Sequence, residues 1–348
     1  AGTCTFEIED SETGGAFELL REDLGHAVWL PGPVATPRRD VLRVTHVETG
    51  ATTQVVIEVL PHPAPHLRAE FGSTDVWYVD PEHHGGDHGL PRDWDEALRM
   101  VGLRSGGAAP TAADALADWY VRRTTLLTLG RFFGREQDGS RGAGLGISFP
   151  MNRPGSPYVA PAAGTYASAG LNRYNVIGVG HGTSRSVLGA AFGDGAANGL
   201  VENNSTAAGL GELGAFVNRI AFDYNAAFQN NTLPADPLRA EDEEILRDLI
   251  HGRPVAGDRA FNIRRVAEGF ALATATVLAH EIGHSLGVPH TLPLVDGSLM
   301  NPGTSHYRGA HYAFLPDDLD QLRWALPGPD RFGEPMAKPG LPAGGIVE

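Results

Sequence analysis

The sequence predicts a mixed α+β fold. Short strands and two long helices, the second buried and carrying the candidate site, make up its main part, with a small β-rich module in front. Three observations lead there. Short apolar stretches such as Val41–Val47, Thr53–Val59, Val76–Val79, Tyr174–Val179 and Val187–Phe192 have the length of strands. Thr111, with Asp114 three residues later, has the pattern of a capping box and opens a helix reaching about residue 129. From about Arg264 the chain runs through Ala271, Leu272, Ala273, Ala275, Val277, Leu278 and Ala279 with no proline and no glycine after Gly269, which is the composition of a buried or half-buried helix.

Taken in order, residues 1–70 form the β-rich module, 71–330 the main domain and 331–348 a Pro/Gly-rich tail or linker. In the first module, Val41–Val47 and Thr53–Val59 flank Glu48-Thr49-Gly50-Ala51 as a hairpin, and Pro61, Pro63 and Pro65 then end the pattern. Packing against the main domain is its default role. Val76–Val79 is the first strand of the main domain. The following stretch holds His83, His84, Asp87 and His88, a polar loop that could also offer ligands to a second metal ion. In the helix that starts at Thr111, Leu116, Trp119, Tyr120 and Leu127 make the apolar face. Residues 134–170 read as a long loop, and three short strands follow, ending at Gly199–Glu202. Between them Asp194, Asn198 and Glu202 offer clustered oxygen donors of the kind calcium takes; the same residue types also serve any tight turn, so both readings stand. Residues 205–263 look like an insertion, with a helix opened by Asp236-Pro237, stopped at Gly252 and turning Ile245, Leu246, Leu249 and Ile250 inward. Pro316 to Leu326 makes a last short helix, with Asp317 and Asp318 in its favourable first turn.

The second long helix, about 264–287, carries His280-Glu281-Ile282-Gly283-His284. Residues four apart lie on one helical face, so His280 and His284 can offer ring nitrogens to one metal ion. Glu281, one step round, stands beside that ion, where it can take a proton from a water bound there. Gly287 allows a left-handed turn just past the helix, and the reversal returns His290 as a third ligand. Three neutral imidazoles leave one tetrahedral position open, which is the arrangement of a catalytic zinc. Ten residues after His290 comes Met300, in the turn Ser298-Leu299-Met300-Asn301-Pro302.

The string His-Glu-x-x-His-x-x-Gly-x-x-His followed by this turn resembles the metzincin clan of zinc endopeptidases, in which a methionine-containing turn lies beneath the zinc-binding histidines. The wording of His284-Ser285-Leu286-Gly287, of Ser298–Pro302 and of Leu315–Leu322 is closest to the matrixins, and the resemblance covers roughly residues 264–327. It implies a zincin-like (metzincin) catalytic domain, with a twisted mixed sheet, a long backing helix for which residues 111–129 are the candidate, and the active-site helix; this domain hydrolyses peptide bonds, with Glu281 as general base and Met300 as a structural support. It further implies an edge strand around Leu188–Phe192 that binds substrate by strand pairing, a wall for the substrate side chain formed by residues 303–315, and secretion. Two features depart from the pattern: Asn301 stands where matrixins usually have tyrosine, and His290 and Met300 are slightly farther apart. Pro302 occupies the place of the tyrosine that can join the zinc in astacins and serralysins, so that switch is excluded.

Composition bounds the remainder. A net charge of −15 excludes the basic footprint that a nucleic-acid backbone requires. With 42% hydrophobic and 20% charged residues the chain is globular, and no apolar run has the length of a membrane span. The start at Ala1, without Met or a signal peptide, reads as a mature or trimmed product. The one cysteine, Cys4, excludes an intrachain disulfide; a thiolate could plug a zinc site, but nothing in Thr3-Cys4-Thr5 aims it there. The resulting expectation is a zinc endopeptidase acting on protein or peptide substrates. Its rivals are a secreted binding module with a vestigial zinc site and a zinc amidase acting on small substrates. The intact Glu281 weighs against the first, and an edge strand suited to extended peptides against the second. Oligomeric state is not readable from the sequence.

Overall fold

The structure is a computed structural model that describes residues 3–31, 36–60, 75–82, 88–107, 109–134, 145–154, 175–182, 187–192, 202–203, 213–227, 236–302, 312–326 and 346–347. It is mixed α+β. The N-terminal part has more strands than the expected hairpin. β1 (Cys4–Ser11), β4 (Arg38–His46) and β5 (Thr52–Val59) form an antiparallel sheet in the order β1-β4-β5, and β2 (Ala16–Arg21) pairs with β3 (His26–Leu30). One buried carboxylate organises it. Asp40 on the central strand accepts hydrogen bonds from Ser11 Oγ, Thr13 N, Thr13 Oγ1 and Trp29 Nε1, tying the β1–β2 turn and β3 to β4. Phe17 packs edge-on against Trp29, centroids 5.0 Å apart. On β5 the pattern differs from the alternation expected, since Val55 and Val56 are both exposed.

This module packs against the main domain. Phe17, Leu20 and Leu42 form an apolar cluster with Met151, which also takes in Trp119 and Leu126 of α2 (Ala112–Phe132). Around it, Met151 N donates to Phe17 O (2.8 Å), Phe17 N to Asn152 Oδ1 (3.0 Å) and Ser148 Oγ to Glu18 Oε1 (2.6 Å). Arg123 of α2 pairs with Asp23 at 2.7 Å and donates to the carbonyl of Ile250. This is why α2 lacks the single apolar face expected of it: Leu116, Trp119 and Leu127 are only half-buried, while Ala113, Ala117, Tyr120 and Val121 are the deeply buried set. The helix is covered on two sides, so its burial is spread around its circumference.

The main sheet runs β12-β9-β11-β8-β6-β7, with β6 (Asp75–Asp80), β7 (Ile147–Ser148), β8 (Asn175–Gly180), β9 (Gly189–Phe192), β11 (Gly214–Phe216) and β12 (Ile346–Val347); β10 (Glu202–Asn203) also pairs with β8. β7, β6, β8 and β11 are parallel neighbours, and β9 is antiparallel to β11. Three expectations need correction. Residues 205–263 are not a mere insertion, because β11 sits inside the sheet between β8 and β9 and continues into α3 (Val217–Ala227). The stretch 134–170 contains β7 as well as loop, and the tail 331–348 contributes β12. A helix the sequence did not signal, α1 (Asp93–Met100), packs on α3, and Trp94 Nε1 donates to Asp118 Oδ1 of α2 at 2.6 Å.

The acidic helix α4 (Glu243–Ile250) starts later than Asp236-Pro237, after a 3-10 turn; Leu246 and Ile250 are buried and Gly252 (φ 66°) ends it. α5 spans Asp258–Ser285, six residues longer at its start than expected, and lies between α2 and strands β9 and β11. From Ala273 to Leu286 every residue is buried, which small side chains (Ala273, Thr274, Ala275, Thr276, Ala279, Gly283) allow by letting neighbours approach on all sides. α6 (Pro316–Ala325) begins with Leu315 N donating to Asp318 Oδ2.

The contact between the two parts carries a titratable group. Burial pushes the Glu22 carboxyl up from 4.5 to about 7, partly offset by the nearby Arg123. The folded state therefore binds the proton more tightly than the unfolded state, so stability is full below the unfolded value and falls as pH rises from 4.5 to about 7. Glu22→Gln should remove this slope and raise stability at pH 8 by roughly 2 kcal/mol, solvent screening allowed for. Urea unfolding of both proteins at pH 5 and pH 8 checks it; identical pH slopes would contradict the assignment.

Candidate metal centre

α5 brings His280 and His284 onto one face, ring centroids 4.5 Å apart. The helix then ends in a Schellman motif: Gly287 N donates to His284 O (2.9 Å) and Val288 N to Gly283 O (2.8 Å), with Gly287 at φ 86°. A side chain at that backbone angle is strained, so glycine is what the turn requires. The reversal returns His290 with its ring centroid 4.6 Å from that of His284 and 5.2 Å from that of His280. Candidate ligand nitrogens of the three lie within 4.8 Å of one another.

The hydrogen bonds determine which nitrogens face inward. His280 Nδ1 lies 2.6 Å from Leu299 O and His284 Nδ1 lies 2.8 Å from Val288 O. A carbonyl only accepts, so each Nδ1 carries the ring proton, and in a neutral imidazole each Nε2 is then a bare lone pair. Yet His284 Nε2 sits 2.9 Å from His280 Nε2 and 3.1 Å from His290 Nε2. Lone pairs at that distance repel unless a cation lies between them. A proton is a poor candidate at neutral pH, because burial pushes His284 down to about 4 and lowers His290 as well. The donor set therefore fits a metal ion with nitrogen ligands, each fixed by a second hydrogen bond or by the turn.

Glu281 follows His280 in α5 and is outside the ligand set. It is buried, burial alone pushes its carboxyl well above the usual range, and Oε2 has no hydrogen-bond partner. Its other side meets Gly189 of β9, where an added Cβ would stand 2.5 Å from Oε1. Met300 is fully buried below the ligands, and a Cβ at Gly283 would meet its sulfur at 2.8 Å. Gly189 and Gly283 were not picked out from sequence as site residues; their signal is absence of bulk, which only the packing reveals. Asn301, the departure from the matrixin turn, has a local job. Its side chain donates to Val295 O and accepts from Val295 N, and Thr291 N donates to Met300 O, so the longer loop after His290 is pinned across its base.

The structure thus brings His280, His284, His290, Glu281 and Met300 together. Of the calcium candidates, Asp194 and Asn198 lie outside the described residues, and only the backbone of Glu202, in β10, is described. His83, His84, Asp87, His306, Tyr307, His311 and Pro61–Pro65 also lie outside them. His88 is engaged within the protein: Nε2 is 2.8 Å from Asp93 Oδ1 and Nδ1 accepts from Leu90 N. Cys4 sits in β1 opposite His46 and is not part of the histidine group. Phe314 packs into the core against Phe133, centroids 5.0 Å apart. No helix among the described residues is long and apolar enough to cross a membrane.

His284 is the one ligand within about 3 Å of both others, so His284→Ala should abolish stoichiometric metal binding, because two imidazoles hold an ion far more weakly than three. Elemental analysis after dialysis against a weak chelator is the measurement; retained stoichiometric metal would overturn the ligand assignment.

Comparison of the chain with protein-family models, curated proteins and solved structures finds no match.

Proposed function

We propose that this chain is a zinc-dependent endopeptidase with a metzincin-like catalytic domain, closest in its motifs to the matrixins. The observation that carries the reading is the convergence of three imidazole lone pairs beside a buried carboxylate with an unpartnered oxygen. Two further features support it: β9, antiparallel to β11, lies directly against Glu281 through Gly189, and Met300 lies against Gly283, next to His284. The zincin-like assignment rests on these features and on the motif wording.

Zinc, when bound, would supply a Lewis acid that polarises the scissile carbonyl and raises the acidity of a water at the open position. The chain's own groups do the rest. His280, His284 and His290 remain neutral and directed by Leu299 O, Val288 O and the Schellman turn. Glu281, as the carboxylate, accepts a proton from the attacking water as the water oxygen bonds to the carbonyl carbon. It then delivers that proton to the amine nitrogen as the C–N bond breaks. β9 offers backbone groups to an extended protein or peptide substrate. Secretion follows from the family reading, and calcium remains an expectation on Asp194, Asn198 and Glu202.

Glu281→Gln keeps the side chain's shape and removes its basicity. It should fold and bind metal as the parent does while losing about a hundredfold or more in turnover. A quenched peptide library, assayed with zinc-loaded parent and variant side by side, is the test. Equal cleavage by both would remove Glu281 as the base. No cleavage by the parent on any library would favour a binding module.

A further inference from the structure

The outer edge of β9, on the side away from β11, is where an extended peptide would add as a strand. That edge is taken. β12 pairs with it antiparallel, Ile346 opposite Phe192 and Val347 opposite Ala191. The direction matters: as β12 advances from Ile346 to Val347, its partner steps from Phe192 to Ala191, and two residues farther along β9 is Gly189, against which Glu281 packs. β12 therefore runs along the substrate edge toward the candidate catalytic group. Its residues are β-branched and follow Gly344-Gly345, in a tail otherwise rich in glycine and proline, so strand propensity is concentrated at this spot.

We propose that the segment carrying Ile346–Val347 is a built-in occupant of the peptide-binding edge, holding the position of a substrate strand so that an incoming peptide must displace it. The consequence for catalysis rests on the peptidase reading; the docking itself does not. A two-residue ladder is weak as a free peptide, but tethering to the same chain raises its local concentration, so a short contact can compete with dilute substrate and still yield to abundant or better-matched substrate. It also covers a sheet edge that would otherwise invite pairing with other chains. A cap with no bearing on peptide binding would leave the affinity for added peptides unchanged when the pairing is broken, and that difference is measurable.

The test uses the full chain with Ile346→Pro or Val347→Pro, since proline removes the backbone donor a ladder needs. The probe is a fluorescein-labelled octapeptide with the sequence of residues 341–348, and its binding is read by fluorescence anisotropy. At least one proline variant should bind the probe about fivefold more tightly than the parent, and KM for a quenched peptide should fall by a similar factor with kcat unchanged. The double variant Ile346→Gly with Val347→Gly weakens the same contact without proline's steric demand and should show a smaller gain, about twofold. Equal probe affinity in the parent and all variants would overturn the proposal. Tighter probe binding by variants that cleave nothing would sustain the self-docking and remove the peptidase reading instead.

Discussion

The structure depends on a repulsion that has to be relieved. Two buried carbonyls, Leu299 O and Val288 O, take the Nδ1 protons of His280 and His284 and so turn two bare Nε2 lone pairs toward each other at 2.9 Å. The Schellman turn adds a third at 3.1 Å from His284. Three ring nitrogens held this close together form a group that could hold a metal ion at the point between them. Each supporting element can be read as serving that convergence: the glycine at 287, the pinned loop from Thr291 to Asn301, and the methionine under Gly283.

A buried carboxyl such as that of Glu281 needs a helix that can be covered on every side without crowding. α5 meets that need through composition. Its second half is built of Ala, Thr and Gly between the larger Val277, Leu278 and Ile282, so β9, β11 and α2 all come close. Gly189 extends the same logic to the sheet, giving up its own side chain so that the Glu281 carboxylate can lie against the strand. The carboxyl is thereby kept out of water and its affinity for a proton raised. Near the middle of α5, Phe270 packs against Trp94 and Tyr224, ring centroids 5.8 Å and 6.0 Å away.

The N-terminal module enters this arrangement from behind. It covers the outer side of α2 through Phe17, Leu20 and Leu42 and anchors itself through Asp23 and Arg123, whose guanidinium also reaches the end of α4 at Ile250 O. α2 in turn packs on α5. The module thus backs the helix that backs the histidine-bearing helix, and its contact is with the scaffold. This explains why α2, expected to have one apolar face, is half-buried around most of its surface.

What the sequence by itself determined was local. The i, i+4 spacing of His280 and His284, the glycine past the helix end and the capping box at Thr111 are all specified by near neighbours along the chain, and each corresponds to an observed element. The strands Val76–Val79, Tyr174–Val179 and Val187–Phe192 were readable for the same reason, because a short apolar run is a property of a few consecutive residues. Tertiary structure decided what depends on distant partners. β11 is three residues long and has no alternation to read, yet it joins β8 to β9 inside the sheet. β12 has two residues and exists only because β9 has an unpaired edge to receive it. Gly189 and Gly283 matter through the space they leave for Glu281 and Met300, and an absence of atoms acquires meaning only once the neighbour is known. The inward-facing tautomers of His280 and His284 belong to the same class: two backbone carbonyls choose them, one of them nineteen residues along the chain from its histidine.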